Sequence, residues 1–493
     1  MIAHHLPILQ IIIPLMSAPI CLVLRHARIA WVLSLAVSWI CLVISVSLLV
    51  KVLDGGAISY ELGDWAAPWG IEYHIDTLNA FVLVIVTAVG AVVMLYAKAS
   101  VEAEVPEERR YLFYTMLMLC LTGLLGITIT GDAFNLFVFL EISSLSSYVL
   151  ISMGRDRRAL TAAYRYLILG TVGATFYIIG VGLMYMMTGT LNFADLATLI
   201  PSVADTRTIQ VALGFLTVGL CLKLALFPLH MWLPNAYVYA PSAVTVFLAS
   251  TATKVAVYAL IRVIFTIFGA VDILDIVQVR NLLMTMAIIA MFFGSIVAIY
   301  QMNVKRMLAY SSIAQIGYMI LGVSLDTLTG VAAGIIHLFN HAMMKGSLFM
   351  ALGAVIYQIG SVHLDDMAGL GRKMPLTMAA FVVGGLSLIG VPLTVGFISK
   401  WYLIQAVLER GWWPIAIIII TTSLLAVIYV WRVVEIIYFR APSGAAAVAT
   451  EAPVSLVVPT WILIGATLYF GIDATTTLDV AIAAARALIG GGS

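Results

Sequence analysis

Residues 335–350 read IIHLFNHAMMKGSLFM, which places His337, His341 and Lys345 at intervals of four within an otherwise apolar segment. Four residues turn an α-helix by about 400°, so the three side chains lie within about 80° of one another and share one face. An ionisable group inside a membrane is costly unless it is paired or wetted, and it marks a functional site by default. The stretch therefore predicts a membrane helix with one polar, functional face.

The whole chain has the composition of a protein with many membrane-spanning helices. It has 493 residues, of which 63% are hydrophobic and 10% charged, and its mean hydropathy is +1.10. A net charge of +1 gives no indication of a nucleic-acid partner, and we expect none. Each of the four cysteines stands alone in an apolar run, which argues against a disulfide framework, an iron–sulfur cluster or a zinc site. We therefore expect no cofactor in this chain.

Apolar runs of about 20 residues are long enough to cross roughly 30 Å of hydrocarbon, and they predict about 14 transmembrane helices. The predicted spans are residues 5–24, 29–51, 76–97, 111–129, 133–153, 161–188, 208–229, 241–268, 279–300, 306–324, 328–357, 374–408, 411–435 and 453–472. The fold class predicted from these spans is an all-α polytopic membrane protein.

The distribution of Lys and Arg predicts the direction of the chain across the membrane. When the N-terminus is placed outside, basic residues in the inner connections outnumber those in the outer connections by about three to one. A missed span would disturb this alternation. We therefore expect both termini to lie outside the cytoplasm.

Basic residues also occur inside the predicted spans, at Lys223, Lys254, Arg262, Lys345 and Lys400. Arg262 is close to the end of its span, so we expect its guanidinium to reach back to the membrane surface. Glu141, Lys254 and His341 each lie near the middle of a different span. Their similar depth predicts a row of charged groups parallel to the membrane.

Three interpretations of the stripe on residues 335–350 remain open. The first is that the histidines hydrogen-bond to neighbouring helices and hold them together. The second is a metal site, although no acidic residue or cysteine joins the histidines in this span. The third is a proton relay, because histidine passes protons in either direction near neutral pH. Three titratable groups in one stripe favour the relay.

Two predicted spans are interrupted next to a lysine. In LCLKLALFPLHMWLP, Pro228 removes an amide donor shortly after Lys223, and in LIGVPLTVGFISKW a segment with glycine and proline precedes Lys400. A broken backbone at membrane depth is tolerated only where protein or water satisfies it. Each break therefore indicates a wet cavity beside its lysine.

The two breaks fall in the seventh and twelfth spans, five spans apart. Broken segments at corresponding positions of two halves are typical of repeated transporter units, here spans four to eight and nine to thirteen. The predicted organisation is an N-terminal three-helix segment (1–110), a first five-helix repeat (111–268), a second five-helix repeat (279–435) and a last helix with a C-terminal tail (436–493).

Four stretches carry a resemblance to a known family: FVFLEISSLSSYVLI, LKLALFPLHMWLPNAYVYAP, VKRMLAYSSIAQIGYMILG and HLFNHAMMKGSLFMALGAV. They are similar to signatures of the antiporter-like membrane subunits shared by respiratory complex I, membrane-bound hydrogenases and Mrp-type cation/proton antiporters. The resemblance covers nearly the whole chain, and the length and the position of Lys400 are most similar to the D-type subunits of Mrp antiporters. It implies 14 helices, two inverted five-helix repeats and a central row of charged residues that moves protons.

The resemblance also implies which residues form this row. Glu141 matches the glutamate of the family's fifth span, and Lys223 matches its lysine partner in the broken seventh span. Lys345 shares the helix face of the two histidines that match the eleventh span. The central row is Glu141, Lys223, Lys254, His337, His341, Lys345 and Lys400. A further position, His230, falls in the PLHxWLP motif of the family. Many relatives have an acidic residue at the position of Asn235 and a histidine at the position of Gln315. We therefore expect no relay role for Asn235 and Gln315.

The pair at the start of the row has two interpretations. An ionised Glu141 favours the protonated form of a nearby Lys223, whereas burial favours neutral lysine, and this opposition leaves a lysine that exchanges a proton at modest cost. The alternative is a static buried ion pair that only fixes helix register.

Three classes of function follow from the resemblance and the row. The first is a subunit of an Mrp-type antiporter in a bacterial or archaeal inner membrane, which exchanges protons for Na+ or another monovalent cation and assembles with membrane chains similar to the A-, B-, C-, E-, F- and G-type chains of Mrp complexes. The alternative is a proton-pumping subunit of a redox-driven complex of the NADH-quinone oxidoreductase or membrane-bound hydrogenase type. A scaffold without pumping is the third class, and the intact row argues against it. No catalytic set or phosphate-binding loop is recognisable, so we expect no enzyme activity from this chain alone.

Overall fold

The computed structural model describes residues 4–269 and 278–490, and this part of the chain is mostly helical. In it, 13 helices are long and apolar enough to cross a membrane, and one bent helix pair raises the number to 14. The predicted all-α polytopic fold with about 14 spans is confirmed.

The N-terminal segment consists of three long helices and one β-hairpin. Helices α1 (Leu6–Leu24) and α2 (Ala27–Gly55) lead into the antiparallel strands β1 (Ile58–Glu61) and β2 (Glu72–Ile75). Helix α3 (Thr77–Glu104) follows, and a capping box between Asp76 and Asn79 fixes its first turn. The sequence does not predict the hairpin, because its strands are short and lie in a polar connection between spans.

The first repeat begins with three long helices and one short one: α4 (Arg110–Ile129), α5 (Ala133–Ser152), α6 (Arg158–Thr188) and α7 (Phe193–Leu199). Helix α8 (Arg207–Leu224) then ends at Ala225, whose backbone is left-handed (φ 62°), and helix α9 (Leu233–Tyr239) follows. The predicted break near Pro228 is confirmed. The helix nevertheless ends before the predicted span 208–229 does.

The eighth span contains a break that the sequence does not predict. Helices α10 (Ser242–Ser250) and α11 (Ala252–Ile261) are separated at Thr251 (φ −123°, ψ −57°), and a π-helical segment, Arg262–Ile267, ends the span. The predicted span 241–268 is confirmed as Ser242–Ile267, but it is interrupted, whereas only the seventh and twelfth spans were expected to be broken. As a consequence, Lys254 lies beside a helix break, as Lys223 and Lys400 do.

The second repeat consists of α12 (Val279–Ile299), α13 (Val304–Ser324), α14 (Leu328–Ile359), the short α15 (Leu370–Lys373), α16 (Pro375–Ile389), α17 (Val395–Glu409) and α18 (Trp413–Phe439). The predicted break in the twelfth span is confirmed between α16 and α17, where Gly390 has φ 94°. Because each repeat contributes five spans, the second starts from the opposite side of the membrane and is inverted. The repeat boundaries 111–268 and 279–435 remain a prediction.

The C-terminal part is more helical than the sequence indicates. Helices α19 (Ala445–Val448) and α20 (Val454–Ile472) are followed by α21 (Thr475–Gly490), in the region predicted as a tail. Helix α21 packs against α3 and α14. It therefore covers part of the helix that carries the histidine stripe.

Helix α14 lies at the centre of the protein. It contacts α3, α10, α13, α16, α17, α20 and α21, and every residue from Gly330 to Val355 is buried. A helix that is apolar on most of its circumference belongs in such an interior. His337, His341 and Lys345 are therefore enclosed by protein and do not face lipid.

Candidate functional site

The first part of the site is the ion pair of Glu141 and Lys223. Glu141 is on α5 and Lys223 is in the last turn of α8, directly before the break. The Lys223 Nζ lies 3.2 Å from Glu141 Oε1 and donates a 2.7 Å hydrogen bond to Ser144 Oγ. The Lys223 side chain is 4% exposed, whereas the Glu141 side chain is 24% exposed, at the surface of the protein. The structure thus joins these two residues, and it leaves the carboxylate within reach of a neighbouring molecule.

A small polar cavity separates Lys223 from the helix of Lys254. Its volume is about 20 Å³, and its polar lining consists of Ser143, Ser144, Ser147, Tyr166 and Lys223. Ala252 and Ala256 of α11 form the far wall. A cavity of about 10–15 Å³ on this measure holds one water molecule. One water therefore fits between the ion pair and the next helix of the row.

Lys254 lies directly after the break in the eighth span and is fully buried. Its Nζ donates to the carbonyl oxygen of Ala249 and, over 3.3 Å, to Thr253 Oγ1. Ala249 belongs to the last turn of α10, whose carbonyl groups have no partner further along that helix. An ammonium at a helix C-terminus stabilises these carbonyls through the helix dipole. The break therefore provides a site for the charged form of Lys254.

Lys400 occupies the corresponding position at the break between α16 and α17. Its Nζ donates to the carbonyl oxygens of Leu388 (2.9 Å) and Ile389 (2.8 Å), which end α16, and to Ser423 Oγ (2.9 Å). The same Nζ lies 5.1 Å above the ring of Tyr318, within the range of a cation–π interaction. Lys254 and Lys400 are thus held in the same way, one in each repeat.

His337 connects the helix α14 to the neighbourhood of Lys400. Its Nε2 donates to Gln315 Oε1 (3.0 Å), and its Nδ1 lies 2.7 Å from the hydroxyl of Ser399. The ring of Tyr318 lies 6.0 Å from that of His337, between it and Lys400. Gln315 is therefore a direct partner of the stripe. Sequence reasoning missed it, because only the tertiary structure brings α13 against His337.

His341 is fully buried, and its ring stacks parallel to that of His337 at 6.0 Å. Neither of its ring nitrogens has a hydrogen-bond partner among the described residues. The interpretation that the histidines hold helices together therefore fits His337 but not His341.

Lys345 is fully buried, and its amine is held by α13, the helix to which His337 also bonds. Its Nζ donates to the carbonyl oxygen of Leu308 (2.8 Å) and to Ser311 Oγ, both on α13. Its place in the row, on the same helix face as the two histidines, remains a prediction.

Arg262 contradicts the expectation that its side chain reaches the membrane surface. It is 4% exposed, and its Nη2 lies 2.5 Å from Asp76 Oδ1 while its Nε donates to Tyr258 OH over 2.9 Å. The expectation was wrong because Asp76, at the start of α3, offers a buried partner at the same depth. The sequence does contain a signal for this pair, because Asp76 is an acidic residue at the beginning of the predicted span 76–97.

Two other residues of the family motifs lie outside the row. His230 is buried between the rings of Phe227 and Phe293. Asn235 accepts a long hydrogen bond (3.4 Å) from Arg306. Within the described ranges, no three His, Cys, Asp or Glu side chains come together as a metal site.

Comparison with known proteins agrees with this architecture. Residues 130–426 match the family described as NADH:quinone oxidoreductase/Mrp antiporter, TM. A protein of Desulforudis audaxviator named NADH-quinone oxidoreductase subunit N is 41% identical over 474 residues, which are 93% of this chain and 94% of that protein. The D-type subunit of the Na(+)/H(+) antiporter of Alkalihalophilus pseudofirmus is 32% identical over 431 residues, which are 87% of this chain and 86% of that protein.

The fold is similar to that of a chain in the structure of the Mrp complex from Dietzia sp. DQ12-45-1b. The TM-score is 0.91 and the sequence identity 26%, over 99% of this chain and 98% of that chain. The family match covers more than half of the chain, and both relatives extend over most of it. This protein therefore belongs to the NADH:quinone oxidoreductase/Mrp antiporter family, as an antiporter-like membrane subunit of Mrp or complex I type.

Proposed function

We propose that this chain is the proton-translocating subunit of a multisubunit monovalent cation/proton antiporter of Mrp type, and that protons move along the central row. The path begins at Glu141 and Lys223, continues through Lys254 and the histidines, and ends at Lys400. Each step is a proton transfer between neighbouring groups or through an intervening water molecule. Lys345 adjusts the charge beside the histidines.

The observation that carries this proposal is the way in which Lys254 and Lys400 are held. Both amines are buried and donate to carbonyl oxygens at helix ends, and among the described residues neither has a carboxylate as ion-pair partner. A lysine stabilised by dipoles alone gains or loses a proton at a smaller cost than one locked in an ion pair. This is the property that a proton carrier requires.

The unpartnered imidazole of His341 supports the same function. A buried polar group without a hydrogen bond is costly, and a role in proton transfer is one explanation for it. Both ring nitrogens of His341 lack a partner among the described residues, whereas for His230 this holds for Nδ1. Its position in the stripe, between His337 and Lys345 along α14, is that of an intermediate proton acceptor. Transport therefore accounts for a feature that helix packing does not.

The surface of α5 supports assembly with other membrane subunits. Phe134, Val138, Leu145 and Val149 are exposed along one stripe of this helix, and the partly exposed Glu141 lies among them. A carboxylate facing hydrocarbon is costly, so we infer that another membrane subunit covers this stripe. Such a subunit would change the charge on Glu141 and thereby the proton affinity of Lys223.

A redox-driven proton pump is the second candidate. The 41% identity to a protein named NADH-quinone oxidoreductase subunit N favours it. The TM-score does not separate the two candidates, because it is 0.91 to a chain of an Mrp complex and 0.90 to a chain of the membrane-bound sulfane sulfur reductase, an archaeal respiratory membrane complex. Both candidates use the same proton path and differ in the driving force, which comes from other chains.

The test is to purify the complex from its native cells through a tag on this chain and to reconstitute it in vesicles. A Na+ gradient that drives proton movement without an electron donor supports the antiporter. Proton movement that requires an electron donor and is unaffected by Na+ contradicts it and supports the redox-driven pump.

A further inference from the structure

A second polar cluster lies at the end of the eighth span, outside the central row. Lys254, Tyr258 and Arg262 follow one another at intervals of four, so they lie within about 80° on one helix face. Tyr258 is 1% exposed, and its hydroxyl donates to the carbonyl oxygen of Thr128 (2.7 Å) and accepts from Arg262 Nε. The stripe therefore runs from Lys254 on α11 to Arg262, just beyond the end of α11. It leads toward the side of the membrane on which the β1–β2 hairpin lies, which we call the hairpin side.

A cavity of about 70 Å³ adjoins this cluster. Its polar lining is Glu72, His74, Asn79, Thr130, Tyr258, Arg262 and Thr266. Protein interiors are close-packed, and a cavity of this volume with these polar groups on its wall has room for several water molecules. An ion pair between Asp76 and Arg262 that served only to hold α3 against α11 would need no such cavity.

The outer wall of the cavity is formed by two titratable residues of the hairpin. His74 has a side chain that is 44% exposed, and its Nδ1 lies 3.7 Å from Glu72 Oε1. The neighbouring His74, together with hydrogen bonds from Ser59 and Asn192, lowers the pKa of Glu72 to about 2. Glu72 is therefore a carboxylate at all physiological pH values, and it favours positive charge at the opening of the cavity.

We propose that this cavity is an aqueous port through which protons pass between the hairpin side and Lys254, with Tyr258 as the last carrier. The port extends the proposed function, on which it rests, because it gives the first repeat its own connection to the solution. In the inward direction, the Tyr258 hydroxyl gives its proton through water to the neutral amine of Lys254 and takes one from a cavity water. The cavity water in turn takes a proton from the solution. The net result is the transfer of one proton, and no other bond changes.

Arg262 lines the cavity as one half of an ion pair with Asp76. Its guanidinium stays charged, and it bonds to both Tyr258 and Thr266, with Nη1 3.3 Å from Thr266 Oγ1. The pair with Asp76 holds the guanidinium in this place.

The test compares two buried tyrosines, each of which donates a hydrogen bond to a backbone carbonyl oxygen. Tyr258→Phe removes the donor to Thr128 and also the acceptor of Arg262 Nε, whereas Tyr177→Phe, on α6 and outside the port, removes the donor to Ala133 (3.1 Å). Each lost hydrogen bond costs roughly 1 kcal/mol of stability, so the amount of assembled complex is matched between the variants. A positioned proton-transfer group contributes about 10²–10⁴-fold to a rate, so we expect Tyr258→Phe to slow proton movement by at least about tenfold and Tyr177→Phe to leave it nearly unchanged. Equal rates in the two variants, measured in vesicles with matched amounts of complex, would overturn the port.

A second measurement tests access of water and does not depend on transport. In a Thr266→Cys variant, a membrane-impermeant thiol reagent should react from the hairpin side and not from the other side, because the four native cysteines are all buried. An introduced thiol that reacts from neither side would contradict the port.

The variant Glu141→Gln separates failure of the port from failure of the proposed function. If Glu141→Gln stops proton movement while the two tyrosine variants behave alike, the port is wrong and the central row stands. If Glu141→Gln moves protons at the normal rate, the proposed function itself is wrong, and the port falls with it.

Discussion

Removal of the charge on Glu141 tests whether its pair with Lys223 moves protons or only holds helices together. The perturbation is a set of three variants: Glu141→Gln, Lys223→Met and the double variant. Each single variant leaves one partner of a buried pair alone, whereas the double variant replaces both by neutral side chains of similar volume.

The size of the effect follows from the 3.2 Å separation of Lys223 Nζ and Glu141 Oε1. At an effective dielectric constant of about 20, the Coulomb attraction is about 5 kcal/mol. Because the carboxylate is 24% exposed, solvent screening reduces this value, and we take about 3 kcal/mol, the lower end of the cost of breaking a buried pair.

The assay is proton movement in inverted vesicles, with the amount of assembled complex matched on native gels. If the pair moves protons, all three variants assemble and all three are inactive, since no combination restores a titrating pair. The control is Asp156→Asn, which breaks a surface pair with Arg158 and should change neither assembly nor transport. Poor assembly of the single variants, together with normal assembly and transport in the double variant, would refute the reasoning and establish a static ion pair.

Three further predictions follow from the structure. His337→Gln should assemble normally, because Gln can bond to Ser399, but should transport protons poorly. An Arg157→Cys variant should react with an impermeant thiol reagent only from the cytoplasmic side; reaction from outside would overturn the topology. The pKa of Glu72 falls from 4.5 to about 2 on folding, so the ionised form stabilises the hairpin above pH 4.5, and this contribution is lost as the pH falls from about 4.5 to 2. The Gly131 amide donates to the Glu72 carbonyl, so its protection from hydrogen exchange, measured relative to the intrinsic rate at each pH, should fall in that range and stay constant above it.

The long apolar runs predicted the spans well, because a membrane helix needs about 20 apolar residues and little else satisfies its backbone. Proline and glycine similarly predicted the breaks beside Lys223 and Lys400. The break at Thr251 has no such signal, since neither proline nor glycine occurs in STATKVAVYAL. The break at Thr251 depends on Lys254, whose amine bonds to the Ala249 carbonyl across the break. A side chain that satisfies a backbone carbonyl in this way cannot be recognised from the local sequence pattern.

The residues proposed for the row stand out in the sequence by their charge, but their hydrogen-bond partners do not. A charged side chain in an apolar run stands out in any sequence, whereas Gln315, Ser399 and Ser423 resemble ordinary polar residues of membrane helices. They become part of the site only because α13, α17 and α18 pack around the stripe and the second break. The same reason explains the error for Arg262, whose partner Asp76 is distant in sequence.

Passage of protons through the titratable groups of this chain can be tested at His341 with the least disturbance of helix packing. Its ring nitrogens have no hydrogen-bond partner among the described residues, so His341→Gln removes a proton carrier without removing a bond between helices. His230→Gln is the matched control, because His230 is also a buried histidine and lies outside the row. In inverted vesicles with equal amounts of complex, we predict that His341→Gln reduces proton movement to the background rate and that His230→Gln leaves it intact. A normal rate in His341→Gln would contradict the account and show that protons take another path.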